Sequence, residues 1–139
     1  MNARTLWHVM QVALATISGW LVWFFGGWDG LMIALVFFSA ADYLIGLTRA
    51  IVDKKVSSRI CRRGVIKKAI TLIIVGSAHI LDTYVIGGAF VRDTVILFFI
   101  GSEGISMLEH AAGMGVNMPP KLKEVLVQLH GGDKCESNK

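Results

Sequence analysis

Four long apolar runs constrain this chain more than any other feature of its sequence. They cover about residues 6–25, 31–52, 69–89 and 94–112. Roughly 20 residues, each rising 1.5 Å along a helix, cross the ~30 Å hydrocarbon core of a bilayer, so each run is long enough for one transmembrane helix. Because 54% of the 139 residues are hydrophobic and only 17% are charged, a soluble domain of this size has too little interior to cover them. The sequence therefore predicts an all-α, multi-pass membrane protein that forms a single membrane domain over residues 1–139.

A cluster of positive charge separates the second apolar run from the third. We call residues 49–68 the basic segment, and Asp53 is the only acid in it. Its basic residues, eight of the 14 Lys and Arg in the chain, are Arg49, Lys54, Lys55, Arg59, Arg62, Arg63, Lys67 and Lys68. Lys and Arg beside spans stay on the cytoplasmic side, because carrying them across the membrane is costly and the inner leaflet is anionic. We therefore predict a cytoplasmic basic loop that determines topology. Binding of nucleic-acid phosphates is the alternative, which we disfavour because the flanking runs need a bilayer.

Four spans with this loop inside place both termini in the cytoplasm, together with Arg4 and the lysine-containing tail. Asp29 and the Arg92-Asp93 pair are then left outside, where Arg92 is offset by the adjacent acid. The basic residues thus follow the positive-inside rule at every other loop.

Features at the ends of the chain refine this prediction. V-A-L-A at 12–15 imitates a signal-peptide cleavage site, but the apolar run continues to Phe25, which indicates an uncleaved span. Met10 is either an ordinary helix residue or a second start. Residues 113–120 break the fourth helix, since Pro119-Pro120 cannot continue it. We expect a short amphipathic helix at about 121–130, on the membrane surface or on the bundle, and a disordered tail at 131–139.

Ionisable residues lie deep in the predicted spans. Asp42, His79 and Glu103 each fall near the middle of a run, where a charge costs roughly 2.5–3.5 kcal/mol unless it is paired, neutralised or hydrated. One interpretation is a buried hydrogen-bonded cluster in which an acid is protonated or paired with His79. The other is a latent hydrophilic path through a bundle or an oligomer. The candidate pore or oligomer residues are Asp42, His79, Asp82, Glu103, Ser106 and Glu109.

The fourth run has one polar face. At 100° per residue, its polar and small residues fall within an arc of about 120°, which should turn away from lipid. They are Ser102, Glu103, Ser106, Glu109, His110 and Gly113. No nucleophile motif accompanies these groups, so an intramembrane hydrolase is disfavoured and we predict no enzyme and no cofactor. Cys61 and Cys135 would face a reducing cytoplasm as free thiols, without a disulfide and without the clustered ligands of a metal site.

Several short motifs resemble the phage holins of the toxin-secretion/phage-lysis family. The sequence reads D-Y-L-I-G-L at 42–47, S-S at 57–58, G-V-I-K-K at 64–68, and S-E-G-I-S-M-L-E-H at 102–110, followed by M-G-V and Pro119. The family pattern is D-Y-x-x-G, a serine-containing basic loop ending G-x-x-K-K, and N-E-x-x-S-I-x-E-N before M-G-V-x-x-P. The resemblance covers about residues 40–125. Ser102 and His110 depart from it, standing where the family favours Asn, but no acid of the pattern is lost.

The resemblance implies a holin: a protein that accumulates in the bacterial inner membrane, oligomerises, and opens lesions that release an endolysin or, in a sister role, large toxins. Its partners would be the bilayer and other copies of itself, with a functional link to the endolysin. The alternatives are a small transporter or proton-linked channel subunit using Asp42, His79 and Glu103, and a structural or regulatory membrane subunit. An abrupt, delayed growth arrest on expression distinguishes a holin from both.

Overall fold

The computed structural model describes residues 2–55 and 57–132, which fold into helices without a strand in that part of the chain. The helices are α1 (Ala3–Phe25), α2 (Gly30–Val52), α3 (Ser58–Leu81) with a π-helical continuation (Asp82–Ile86), α4 (Phe90–Gly113) and α5 (Pro120–Gly132). Four segments are long and apolar enough to cross a membrane: Ala3–Phe25, Gly30–Val52, Cys61–Ile86 and Phe90–Gly113. The predicted fold class, an all-α multi-pass membrane protein, is confirmed. The predicted disordered tail at 131–139 is wrong for residues 131 and 132, which belong to α5, and residues 133–139, Cys135 included, lie outside the described residues.

Local chemistry accounts for the helix ends. α1 stops at Gly26, whose φ of 74° is left-handed and whose N–H bonds back to the carbonyls of the last turn. α2 begins after Asp29, whose side-chain oxygen accepts the Met32 N–H at 2.9 Å as an N-cap. The π-helical segment ends at a second left-handed glycine, Gly87, and Pro120 occupies the first position of α5, where its missing N–H costs nothing.

The third helix differs from the predicted span. We placed the span at 69–89, whereas α3 already begins at Ser58 and therefore includes half of the basic segment. Arg and Lys are good helix formers, so a positive charge run is no reason for the chain to leave helical geometry. In the described part of the basic segment, only residues 53–55 and 57 lie between the helices.

The chain divides into two compact units. Among the described residues, unit 1 comprises 2–36 and 67–99, and unit 2 comprises 37–55, 57–66 and 100–132. Unit 1 holds the buried apolar side chains, which are Phe25, Met32, Leu35, Val75, Ala78 and Ile96. In unit 2 the buried described residues are instead two acids, Asp42 and Glu103. A single membrane domain over the whole chain stays a prediction.

Large apolar side chains are exposed along every span. All of α1 up to Trp20 is exposed, and Phe37, Phe90 and Phe98 are each about two-thirds exposed or more. In water this surface would be an aggregation hazard, whereas acyl chains cover it without penalty. Polar hydroxyls in α1 are satisfied within the helix, because Thr16 and Ser18 donate to carbonyls four residues earlier.

Candidate functional site

The buried acids of unit 2 lie on facing helices and have polar neighbours. Asp42 of α2 and Glu103 of α4 are each 8% exposed. Ser39 donates from its hydroxyl to Glu103 Oε1 at 3.4 Å, and His110 Nε2 lies 3.7 Å from Asp42 Oδ1. Both acids therefore face protein groups, which lowers the cost of placing a carboxyl group in the membrane.

Small residues let α2 and α4 approach at these polar groups. A Cβ built on Gly46 would stand only 3.1 Å from His110 Nε2, so the absence of a side chain there makes room for the imidazole. One turn further along, the guanidinium of Arg49 lies directly against Gly113 and donates to the Glu109 carbonyl oxygen at 3.5 Å. Small residues at helix contacts in membranes have this role generally.

Together these groups form a continuous strip that we call the polar seam. On α2 it contains Ser39, Asp42, Gly46 and Arg49, and on α4 it contains Glu103, Glu109, His110 and Gly113. The α2 members are spaced i, i+3, i+7 and i+10, which places them on one face of the helix. The seam supplies hydrogen-bond donors and acceptors at successive depths of two membrane-spanning helices.

Several contacts across the seam are longer than ideal hydrogen bonds. The Ser39–Glu103 and Arg49–Glu109 contacts are long at 3.4 and 3.5 Å, and His110 Nδ1 is buried with no hydrogen-bond partner among the described residues. Interhelical bonds in membranes contribute only about 0.6–2 kcal/mol each. Such a seam can hold two helices together and can exchange its internal partners for water.

Unit 1 contains a tighter polar site around Arg92, which is 3% exposed. Its side chain donates to the Phe25 carbonyl at 2.7 Å, to Asp29 Oδ2 at 2.6 Å, to Asp93 Oδ1 at 3.1 Å and to the Gly27 carbonyl at 3.4 Å. We call this the Arg92 lock. It ties the start of α4 to the turn between α1 and α2, and it satisfies a buried cation with two carboxylates and two carbonyls.

Asp82 completes the same region. It is fully buried, and its carboxylate accepts the Val91 N–H at 3.1 Å and the Arg92 N–H at 2.7 Å. These are orphan donors of the first turn of α4, so Asp82 acts as a cap supplied from outside the helix. The prediction that Asp82 belongs to the pore or oligomer residues stays a prediction, and its contacts show that it caps α4.

Electrostatics in the turn follow from the lock. The hydrogen bond from Arg92 holds the pKa of the Asp29 carboxyl below its ordinary value of 3.8. Burial opposes this with a smaller effect, and the Met32 N–H lowers the pKa further. Asp29 is therefore ionised at neutral pH.

The remaining predicted residues have varied surroundings. His79 lies in unit 1, where its ring packs against Gly26 and its Nε2 is 3.5 Å from Thr83 Oγ1. Ser106 and Glu109 are half-buried on α4 in unit 2. A hydrogen bond from His79 to Asp42 or Glu103 stays a prediction.

Two interactions were missed from sequence. His110 was assigned to the polar face of the fourth span but was not paired with Asp42, which was assigned to the middle of the second span. The Arg92–Asp29 pair was missed as well, and its signal was two opposite charges in loops predicted for the same side of the membrane.

The basic segment is largely exposed. Lys54, Lys55, Arg59, Arg62, Arg63 and Lys67 are exposed, Arg49 and Lys68 are half-buried, and Arg49 lies 3.8 Å from Asp53. Its role in determining topology stays a prediction.

Comparison with known proteins identifies relatives of similar length. The model of the bacteriophage holin family matches residues 19–131. An uncharacterized 14.9 kDa protein in the nagH 3' region of Clostridium perfringens is 39% identical over 86% of this chain and 89% of its own length. An uncharacterized protein of Listeria innocua is 32% identical over 94% of each chain. The uncharacterized protein YqxH of Bacillus subtilis is 32% identical over 84% of this chain and 83% of its own. No solved structure matches the chain.

Proposed function

This chain belongs to the bacteriophage holin family, and we propose that it accumulates in the bacterial inner membrane, oligomerises and opens lesions that release an endolysin for host cell lysis. Release of large toxins through the same lesions is the sister role. Membership of this family suggests a non-enzymatic membrane protein.

The polar seam is the structural observation that carries the proposal. A protein that accumulates in a bilayer without opening it needs its polar groups shielded from lipid. Asp42 and Glu103 are buried within unit 2. A protein that then opens a lesion needs polar groups to face water across the membrane. The seam can meet both needs, because interhelical bonds in membranes are individually weak and the Ser39–Glu103, Arg49–Glu109 and Asp42–His110 contacts are long. We therefore assign the seam to helix association in the dormant state and to the lining of the lesion in the open state.

The proposal includes a topology with both termini in the cytoplasm. Four membrane-spanning helices bring the chain back to the side on which it began, and the exposed Lys and Arg of the basic segment favour the cytoplasmic side. The Arg92 lock then lies on the outer side. Its guanidinium is paired with Asp29 and Asp93, which compensates the positive charge there.

Controlled expression tests this function. The chain is induced in a bacterial host with and without a co-expressed endolysin, while turbidity, membrane potential and the amount of protein in the membrane fraction are followed. We expect a delay, then an abrupt loss of potential and growth arrest, with a fall in turbidity only where the endolysin is present. Endolysin alone and a Glu124→Gln variant, which alters an exposed carboxylate outside the seam, are the controls.

A proton-linked channel or transporter is the second candidate, and the Asp42–His110 contact is the observation that favours it. A carboxyl group and an imidazole within 4 Å can exchange a proton through one water molecule. Gradual loss of the proton gradient from the start of induction, with no lysis in the presence of endolysin, would favour the channel and contradict the holin.

A further inference from the structure

The first turns of α3 present three arginines on a single face. Arg59, Arg62 and Arg63 are exposed, while Cys61 between them and Gly64 after them are half-buried. At 100° per residue the three arginines fall within an arc of about 100°, opposite the two half-buried residues. We call this the arginine face.

A packing contact fixes which way the arginine face points. The Tyr43 ring of α2 lies so close to Gly64 that a Cβ there would stand 3.1 Å from it. α3 therefore turns its Gly64 side toward α2 within unit 2, and the arginine face points away. None of the three arginines forms an ion pair within the part of the chain that the structure describes, and the nearby acid Asp53 lies 3.8 Å from Arg49 instead.

Chemistry and position identify a partner for the arginine face. α3 continues without a break into a segment apolar enough to span the membrane, and Ile66, next along the same face, is 51% exposed. The arginines thus stand where an apolar helix surface changes to a charged one, which is the level of lipid headgroups. Guanidinium groups bind phosphate oxygens in a bidentate manner, which the lysines elsewhere in the basic segment do not.

We propose that Arg59, Arg62 and Arg63 form a binding site for the phosphate of an anionic phospholipid headgroup, with Ile66 against the acyl chain. Three guanidinium groups without an ion-pair partner among the described residues complement a headgroup of net negative charge. A zwitterionic headgroup carries its own cation, so it attracts them less. The inference goes beyond lesion formation and holds for the chain in its dormant state.

Native mass spectrometry of the full chain in neutral detergent with mixed phosphatidylglycerol and phosphatidylcholine tests the site. We expect the wild-type chain to retain phosphatidylglycerol preferentially. Each arginine near the headgroups contributes about fivefold, so Arg62→Gln with Arg63→Gln should lower the preference roughly 25-fold. Raising the salt concentration from about 0.1 M to about 1 M should weaken it in the wild-type chain as well.

The matched control is Lys54→Gln with Lys55→Gln, which removes the same charge from exposed residues outside the arginine face. It should keep most of the preference for phosphatidylglycerol. Arg62→Lys with Arg63→Lys keeps the charge but loses the bidentate geometry, so it should keep only part of that preference. Circular dichroism checks helix content in each variant. Equal retention of the two lipids by the wild-type chain overturns the proposal, as does an equal loss in both glutamine variants. Tight binding of duplex DNA without any lipid preference would assign the arginine face to nucleic-acid phosphates instead.

Discussion

At the scale of single residues, charges are handled differently in the two units. Arg92 is itself buried and donates short hydrogen bonds to the Phe25 carbonyl and to Asp29, so its position is strongly specified. Asp42 has a longer contact, 3.7 Å, to a residue whose charge depends on protonation. Removing a partner from a satisfied buried ion is costly, whereas loosening a long bond is not. The lock is therefore expected to govern stability and the seam to govern timing.

Asp29→Asn should destabilise the chain at neutral pH. Asparagine preserves the N-cap of α2 but removes the charge that Arg92 binds, and because Asp29 is 46% exposed we expect a loss of only about 1–2 kcal/mol. The folded-state pKa of Asp29 is lowered, so the stabilisation is complete above 3.8 and is lost as pH falls through the lower folded value. Unfolding in detergent should thus show a constant difference in the free energy of unfolding between the wild-type chain and the variant near neutral pH. This difference should narrow below about pH 4. Asp53→Asn, at an exposed pair, should show almost no difference.

Glu103→Gln should alter the onset of lysis without altering membrane insertion. Glutamine keeps the shape and the hydrogen bond with Ser39 but cannot carry charge. A change of about 0.6–2 kcal/mol in helix association shifts the equilibrium roughly 3- to 30-fold, enough to move a cooperative trigger. Asp42→Leu removes the polar group altogether, so it should insert readily and fail to open. The onset of lysis is compared in lysis curves of cells that accumulate equal amounts of each variant in the membrane. Wild-type timing in both variants would mean that the seam contributes to packing only and has no role in opening.

At the scale of helices, Gly26 is required both by its backbone conformation and by the packing of a neighbouring side chain. Gly26 ends α1 in the left-handed region, and a Cβ there would collide with the His79 ring. Gly87 ends the π-helical segment with a similar φ of 78° but has open space around it. Both positions need a left-handed backbone conformation, but only Gly26 is packed against a side chain.

Gly26→Ala should therefore destabilise the chain more than Gly87→Ala. Left-handed geometry costs a residue with a Cβ about 1–2 kcal/mol at either site, and displacement of His79 adds to it only at Gly26. Thermal unfolding in detergent measures both. His79→Ala combined with Gly26→Ala should recover the additional loss. Equal losses for the two glycines would mean that the His79 contact contributes nothing.

Helix ends were predictable where the signal was local, and side-chain pairs were not. The end of α4 at Gly113 and the start of α5 at Pro120 follow from the residues at those positions. Caps and prolines act on the adjacent turn of the helix, so their effect can be read from the local sequence. The start of α3 was misplaced because charge was read as a loop signal. Arg92 and Asp29 are far apart in sequence, so their 2.6 Å contact depends on how the helices of unit 1 pack. The same holds for Asp42 and His110 in unit 2.

At the scale of the whole molecule, the topology is open to direct labelling. Gly88 lies in the turn before α4 with open space for a side chain, so Gly88→Cys introduces a thiol without a clash. With both termini cytoplasmic, a membrane-impermeant thiol reagent applied to intact cells should label that cysteine and spare native Cys61. Labelling of Cys61 from outside, with the cysteine of Gly88→Cys protected, would show that the topology is the opposite of the one proposed.

The central claim is that copies of this chain assemble into a lesion large enough for a folded protein. The size of the lesion can be measured in vesicles. The purified chain is reconstituted at increasing density into vesicles loaded with fluorescent cargo of graded size and a pH-sensitive dye. We predict that cargo of endolysin size is retained at low density and escapes abruptly above a threshold, and that Asp42→Leu abolishes the escape. Discharge of a proton gradient with every cargo retained at all densities would contradict the claim and identify a channel.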